Sequence, residues 1–140
     1  MTFEAIDGDR DLPEQPNWQL LFSSTDECAA AVRHWTCVVA AMRAADTISR
    51  ANGASVKRLV LAQIVYDRAA LAVMRDGAIR RVKSVDRKNP SWMVMRQASE
   101  MCLALEAELG LSPAKRSRVG KVARSARRRT AADTYLRPVK

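Results

Sequence analysis

The chain has 140 residues, enough for one modest core, and its 48% hydrophobic and 28% charged residues are typical of a folded domain. The net charge is +9, and ten of the 24 Lys and Arg residues occur from Lys115 onward, beside one acid, Asp133. No stretch approaches the roughly 18 apolar residues of a membrane span, and the acidic N terminus lacks the apolar run of a secretory signal. We therefore expect a cytoplasmic protein without membrane association, and three cysteines with no CxxC pair fit that reducing compartment.

The N-terminal residues 1–17 contain five acids and two prolines, which predicts a flexible acidic segment. A short apolar cluster follows from Trp18. Ser24 and Glu27 then match the S-x-x-E capping box, in which two side chains satisfy backbone N–H groups of the first helical turn. The helix that begins here is predicted to reach about Arg50 and to bury a face formed by Cys28, Val32, Trp35, Val39 and Met42.

A second helix is predicted over about residues 56–76, after a break at Asn52 and Gly53, with Ser55 opening it. Its apolar residues surround most of the helix: Leu59, Val60, Ile64, Tyr66, Leu71 and Val73. Burial on several sides has two explanations, because the helix either lies at the centre of a single bundle or is partly covered by a second chain. The second explanation predicts a subunit interface formed by Trp35, Leu59, Ile64, Tyr66 and Leu71.

Residues 78–88 are rich in Arg and Lys, and their weak alternation predicts either a short hairpin or an exposed loop. Asn89 and Pro90 then mark a helix start, because the Asn side chain accepts from first-turn N–H groups and proline needs no donor at the first position. We predict a third helix over residues 90–109, with Val94, Ala98, Met101, Leu105 and Leu109 on one face.

The junction after the third helix is tight. Gly110 is placed to end that helix in a left-handed conformation, with Leu111 folded back onto the last turn. Ser112 and Pro113 repeat the start signal, which predicts a fourth, basic helix.

The basic residues of that fourth helix are candidate DNA contacts, because Lys and Arg neutralise phosphates and Arg bonds a phosphate through two N–H groups. They are Lys115, Arg116, Arg118, Lys121, Arg124, Arg127, Arg128 and Arg129. Docking onto an acidic protein and a solvated tail that aids solubility stay open as other uses. A helix-turn-helix with Lys57 and Arg58 opening its second helix is a further alternative, although the apolar girth of that helix disfavours it.

Metal and catalytic sites are not indicated by the residue pattern. His34 and Cys37 are three residues apart, with Cys28 two turns earlier, but no second cluster supplies further zinc ligands or an orienting group for a Cys–His pair. The sequence also lacks the GxxxxGK[ST] phosphate loop. The residue pattern therefore predicts no metal, no cofactor and no nucleotide hydrolysis by this chain.

Residues 89–118, NPSWMVMRQASEMCLALEAELGLSPAKRSR, resemble the end of the core in phage terminase small subunits. Upstream markers occur in the matching order: Pro16, Trp18, Trp35, Tyr66 and Gly77. The resemblance spans about residues 13–119. It implies a phage or prophage protein that is not an enzyme, because the large terminase subunit holds the ATPase and nuclease. Such a protein forms a ring-shaped homo-oligomer, binds double-stranded viral DNA near the packaging start, and recruits or regulates the large subunit in the cytoplasm of the bacterial host.

The predicted fold is mainly α, with three long helices, a C-terminal basic helix, and a short connector or hairpin between helices two and three. We divide the chain into an acidic flexible segment at 1–17, a helical core and oligomerisation domain at 18–112, and a basic helix and tail at 113–140. A small dimeric helical DNA-binding regulator is the alternative function. A third is an adaptor whose basic tail binds an acidic protein.

Overall fold

The structure is a computed structural model that describes residues 12–116. This part of the chain is mainly helical, with one two-stranded antiparallel sheet, which confirms the predicted mainly α class. Of the two alternatives for the connector between the second and third helices, the structure has the hairpin. The elements in chain order are a 3-10 turn at Trp18–Leu20, α1 at Thr25–Ala44, a 3-10 turn at Arg50–Asn52, α2 at Gly53–Asp76, β1 at Ile79–Val82, β2 at Val85–Lys88 and α3 at Pro90–Glu108.

Two predicted helix starts are confirmed by their capping hydrogen bonds. The Ser24 Oγ accepts from the backbone N–H of Glu27 at 3.4 Å, and the Asn89 Oδ1 accepts from the backbone N–H of Ser91 at 3.0 Å. Pro90 occupies the first position of α3. These starts depend on residues within one helical turn, which is why the sequence alone locates them.

The C-terminal end of α1 differs from the prediction. The helix ends at Ala44, so the predicted end near Arg50 is wrong. Thr47 and Ile48 are both buried, and the Thr47 hydroxyl donates to the backbone carbonyl of Met42 at 3.3 Å. The chain leaves the helix early because these two side chains fold into the core.

The buried face of α1 is rotated relative to the predicted one. Val32 is exposed, whereas Cys28 and Val39 are partly buried against the core. Trp35 is buried as predicted, and Trp18 packs edge-on against it with ring centroids 6.0 Å apart. The fully buried residues of the helix are Ala31, Trp35, Val38 and Met42.

The second helix, α2, lies at the centre of the fold and packs against both α1 and α3. Because two helices pack against it, α2 has apolar residues on several sides without needing a second chain to cover most of them. Its buried residues are Val56, Leu59, Val60, Ala62, Ile64, Ala69 and Val73.

The start of α2 lies three residues before the predicted one, so Ser55 does not open the helix. The Asn52 Oδ1 accepts from both the backbone N–H of Ser49 at 2.8 Å and its hydroxyl at 2.7 Å, which closes the turn before the helix. A Cβ on Gly53 would lie 3.0 Å from the Cβ of Pro13. The N-terminal segment therefore crosses close to the start of α2.

The two ends of the described region lie outside the three long helices. Residues 12–17 have no regular secondary structure, but Leu12 packs against the core and Pro13 is buried. At the other end, residues 113–116 form a turn and not the predicted start of a fourth helix. The rest of that predicted helix lies outside the described residues. None of the helices within residues 12–116 is long and apolar enough to cross a bilayer.

Candidate functional site

The junction between α3 and the basic C-terminal residues adopts the predicted geometry. Gly110 has a φ of 70°, its N–H donates to the carbonyl of Ala107 at 3.3 Å, and the N–H of Leu111 donates to the carbonyl of Glu106 at 2.9 Å. This pair of bonds is a Schellman motif, which satisfies carbonyls that the helix end would leave free. The direction in which the chain leaves α3 is therefore fixed by backbone hydrogen bonds.

The first two predicted DNA-binding residues follow directly. Lys115 and Arg116 are exposed, and both of their backbone N–H groups donate to the carbonyl of Ser112, at 3.1 and 3.0 Å. The other six predicted DNA-binding residues lie outside the described residues: Arg118, Lys121, Arg124, Arg127, Arg128 and Arg129.

Arg116 lies beside the C-terminal end of α1. Together with Asp46 and Thr47 it lines a pocket of about 400 Å³ whose other walls are Ala41, Ala44 and Ala45. A cation is favoured at this place because the last carbonyls of a helix carry partial negative charge. Arg116, the last described residue, thus lies next to the end of α1.

A second basic surface, which the sequence-based site did not include, is formed by the hairpin of residues 79–88. We call it the basic ribbon. It carries five Arg or Lys residues and one acid, Asp86, and all eight strand residues are exposed. The signal for it was the run of basic residues in the connector, but a loop and a hairpin could not be distinguished there.

The pairing of the two strands sorts the ribbon's charges onto its two faces. The register places Arg80 opposite Arg87 and Arg81 opposite Asp86. Directly opposed residues share a face, and successive residues alternate between faces. Arg81 and Asp86 approach to 4.0 Å, whereas the other face presents Arg80 and Arg87 together.

The base of the ribbon is held by Asn89. This side chain is only 1% exposed, and its Nδ2 donates to the carbonyl of Gly77 at 2.8 Å while its backbone N–H donates to the carbonyl of Ala78 at 2.9 Å. The same side chain caps α3 through Ser91. One buried residue therefore joins the end of α2, the ribbon and the start of α3.

An apolar groove lies between α2 and α3 and has a volume of about 330 Å³. Three of its large apolar side chains are exposed to solvent in the single chain: Val65 by 39%, Val94 by 43% and Met101 by 56%. Val94 and Met101 belong to the predicted apolar face of α3, and that face borders the groove at these two residues. The groove lining is Arg58, Leu61, Ala62, Val65, Val94, Gln97, Ala98 and Met101.

The five predicted interface residues divide into two groups. Trp35, Leu59 and Ile64 belong to the core of the single chain, with exposures of 4%, 0% and 2%. Tyr66 and Leu71 are exposed on α2, by 38% and 73%. Further large apolar side chains at the surface are Met74 on α2 and Leu103 on α3.

The helix-turn-helix residues occupy a different setting from the one that this motif needs. Lys57 is half-buried, and Arg58 lines the apolar groove against α3. A recognition helix presents a polar face to DNA. Here Val56, Leu59 and Val60 of the first turns of α2 are buried in the core, so much of the surface of these turns packs within the fold.

Polar side chains connect α1 to α2. The Arg68 guanidinium donates to both carboxylate oxygens of Glu27, at 2.8 and 2.9 Å, and this hydrogen bonding lowers the pKa of Glu27. The His34 Nε2 lies 3.1 Å from the Asp67 Oδ2. Within residues 12–116 no group of His, Cys, Asp and Glu has the arrangement of a metal site.

One comparison with known proteins bears on the site. A family model described as the small subunit of phage terminase matches residues 31–126, which is more than half of the chain. The matched region contains α1 from residue 31 onward, α2, the basic ribbon, α3 and part of the basic C-terminal residues. No curated protein and no solved structure gives a significant match.

Proposed function

The chain belongs to the phage terminase small-subunit family, and we propose that it is the non-catalytic, DNA-binding subunit of a genome-packaging machine. In this function it binds double-stranded viral DNA, assembles as a ring of identical subunits, and recruits or regulates the large terminase subunit in the host bacterial cytoplasm. The large subunit supplies ATP hydrolysis and DNA cleavage. The observation that carries the proposal is the family match from residue 31 to residue 126.

The charge distribution supports DNA as a partner. Exposed basic residues flank α3 on both sides: the basic ribbon lies before it, and Lys115 and Arg116 lie after it. Phosphates neutralised by Lys and Arg release condensed counterions, so binding of this kind is strong at low salt and weakens steeply as salt rises. These contacts position the protein on DNA without reading much sequence.

The exposed apolar surface supports assembly. Val65, Val94 and Met101 border one groove, and a protein that works as a monomer rarely leaves a continuous apolar patch of large side chains open to water. A second copy that placed an apolar side chain in the groove would remove these residues from solvent. Tyr66 and Leu71, from the predicted interface, are available to the same kind of contact.

Assembly and DNA binding reinforce each other. A ring would repeat the two basic surfaces of each subunit around one particle, and linked weak sites bind together far more tightly than one site alone. Each phosphate contact can then be weak while the whole assembly stays bound.

A salt titration of duplex DNA binding tests the proposal. Fluorescence anisotropy with a labelled duplex measures the binding constant at several salt concentrations. The logarithm of the binding constant should fall linearly with the logarithm of the salt concentration, with a slope set by the number of phosphates contacted. An acidic protein partner instead of DNA, as in the adaptor alternative, would leave duplex DNA unbound even at low salt. That result would contradict the proposed function.

Stoichiometry separates the proposal from the dimeric regulator. Light scattering gives the mass of the species that binds DNA, and one subunit is 15.5 kDa. A mass of many subunits supports the packaging ring, whereas a dimer that selects one short operator sequence supports the regulator.

A further inference from the structure

The basic ribbon contributes little to the packing of the fold. All eight strand residues are exposed, including Ile79, Val82 and Val85, and the ribbon is a single pair of strands. A two-stranded hairpin in water is marginally stable unless a core or a partner supports it. A partner outside the described chain would account for an element that buries so little.

The positive charges of the ribbon indicate that its partner is negatively charged. Arg80 and Arg87 lie directly opposite each other, and like charges at such positions repel. An anion between or beside them would turn this repulsion into attraction. Lys83 adds a third cation at the tip, where it and Ser84 have φ values of 49° and 66°.

The nearby acid does not cancel the charge of Arg80. The Asp76 carboxylate accepts hydrogen bonds from Arg75 at 2.9 and 3.0 Å. These bonds are the main reason that the pKa of Asp76 is lowered, and the charge of Arg80 has a smaller part in it. Asp86 lies on the opposite face and approaches Arg81.

The ribbon is also held in a fixed direction. Its base is bonded to buried Asn89, and the N–H of Gly77 continues α2 by donating to the carbonyl of Val73 at 2.7 Å. Gly77 has a φ of 80°, a conformation that favours glycine. The strands therefore leave the junction of α2 and α3 at a set angle and not on a flexible tether.

We propose that the basic ribbon inserts into the major groove of duplex DNA, with Arg80, Arg87 and Lys83 contacting phosphates. This inference rests on the proposed function, because it assumes that the protein binds duplex DNA. A major groove about 12 Å wide admits a two-stranded ribbon, whose strands are about 4.8 Å apart. Arginine suits the role because its guanidinium bonds a phosphate through two N–H groups.

The shape and chemistry of the ribbon favour DNA over an acidic protein segment. Each strand has four residues, about 13 Å of extended chain, so the tip and its flanking pairs reach into a groove without the body following. Val82 and Val85 share the face of Arg80 and Arg87, where small apolar side chains suit contact with thymine methyl groups. Both arginines of this face are exposed, so each is able to reach a phosphate at one side of the groove.

The test compares two double variants of the full-length protein that remove the same charge. R80A/R87A alters the ribbon, and R33A/R96A removes two exposed arginines from α1 and α3. Duplex DNA binding is measured by anisotropy between about 50 and about 200 mM salt, values at which counterion release is readily resolved. R80A/R87A should weaken binding roughly tenfold and lower the salt slope by about 2, because each phosphate that is no longer neutralised reduces the slope by close to one unit.

The control and a conservative variant keep the result interpretable. R33A/R96A should leave the slope within experimental error of the unchanged protein. R80K/R87K keeps both charges but removes the bidentate fork, so it should restore the slope while recovering only part of the affinity. Circular dichroism checks that all variants keep the helical content of the unchanged protein.

The outcomes distinguish DNA binding by the ribbon from a general effect of net charge and from a contact between subunits. Equal decreases in affinity for R80A/R87A and R33A/R96A would mean that only net charge matters, which overturns the inference. A change in oligomeric mass for R80A/R87A with unchanged DNA affinity would make the ribbon a contact between subunits and also overturn it. In both cases the unchanged protein still binds duplex DNA, so the proposed function stands; if it binds no DNA at all, both fail.

Discussion

The helical body and the basic ribbon are stabilised by different interactions: the body by buried side chains, and the ribbon by hydrogen bonds at its base. Asn89 joins the two regions. In the body, Val56, Leu59 and Val60 are fully buried, and α2 is packed by its neighbours. In the ribbon every strand residue is exposed, and the conformation is held by hydrogen bonds at the base. Stability is therefore carried by the helices, whereas the ribbon is available for binding.

The largest effect should come from opening the core. Leu59→Ala removes a fully buried side chain of the central helix and leaves a cavity, which should lower the free energy of unfolding by about 2–5 kcal/mol. Ile79→Ala on the ribbon, where the side chain is 65% exposed, should cost less than about 0.5 kcal/mol. Urea denaturation measures both, and similar decreases would show that the ribbon is part of the core.

The next effect concerns the basic C-terminal residues as a DNA-binding segment. Replacing Arg127, Arg128 and Arg129 by Ala should weaken duplex binding and lower the salt slope by up to about 3, since each phosphate contact contributes close to one unit. Removing three exposed arginines of the body at Arg33, Arg50 and Arg96 is the charge-matched control. Salt titrations that give the same slope for the two triple variants would remove this segment from the DNA surface.

A smaller effect should follow at the joint between body and ribbon. Asn89→Ala removes the cap of α3 and leaves the Gly77 carbonyl without its side-chain donor, which should cost about 1–2 kcal/mol. Asn17→Ala removes only the exposed cap of the first 3-10 turn and should cost less. Thermal unfolding followed by circular dichroism ranks the two, and the reverse ranking would mean that Asn89 does not fix the ribbon.

The smallest effect should be electrostatic and depend on pH. Because Arg68 lowers the pKa of Glu27, the pair stabilises the fold at pH values above the ordinary glutamate pKa of 4.5 and this contribution disappears as the pH falls through the lowered value. Arg68→Ala should cost about 0.5 kcal/mol at neutral pH, since Arg68 is 62% exposed.

Measurements of the free energy of unfolding at acid pH test whether the cost of Arg68→Ala comes from its ion pair with Glu27. The difference between Arg68→Ala and the unchanged protein should shrink as the pH drops below 4.5. Arg96→Ala, which breaks a more exposed pair with Glu100, is the matched control and should show a smaller difference at neutral pH. A difference for Arg68→Ala that stays constant from neutral to acid pH would mean that its cause is the packing of the side chain and not the ion pair.

The features that the sequence predicted correctly depend on neighbours along the chain. Ser24, Asn89 and Gly110 each act within one or two turns, so their roles at helix ends follow from residue type and spacing. The end of α1 depends instead on Ile48, which turns into a core that only tertiary packing creates. Likewise Ala31 is buried while Val32 is exposed, because packing geometry and not hydrophobicity alone decided which residue faces inward.

The candidate site divides in the same way. The basic residues from Lys115 stand out in the sequence as a local concentration of positive charge. The left-handed conformation of Gly110, which ends α3 just before them, was predicted as well. The groove was not, because Val65 and Met101 look like core residues in the sequence and only the spacing of α2 and α3 leaves them open. The ribbon's two faces also required the strand register, which the weak alternation of a short connector does not determine alone.

The central claim is that this chain is a subunit of a DNA-binding ring. The most direct test of this claim is the mass of the full-length protein in solution. Light scattering during size exclusion should give one species at many times the 15.5 kDa of a subunit, and Met101→Asp in the groove should reduce that mass. Leu20→Asp, an exposed position far along the chain from the groove, is the control and should leave the mass unchanged. A monomer in both the absence and the presence of duplex DNA would contradict the account.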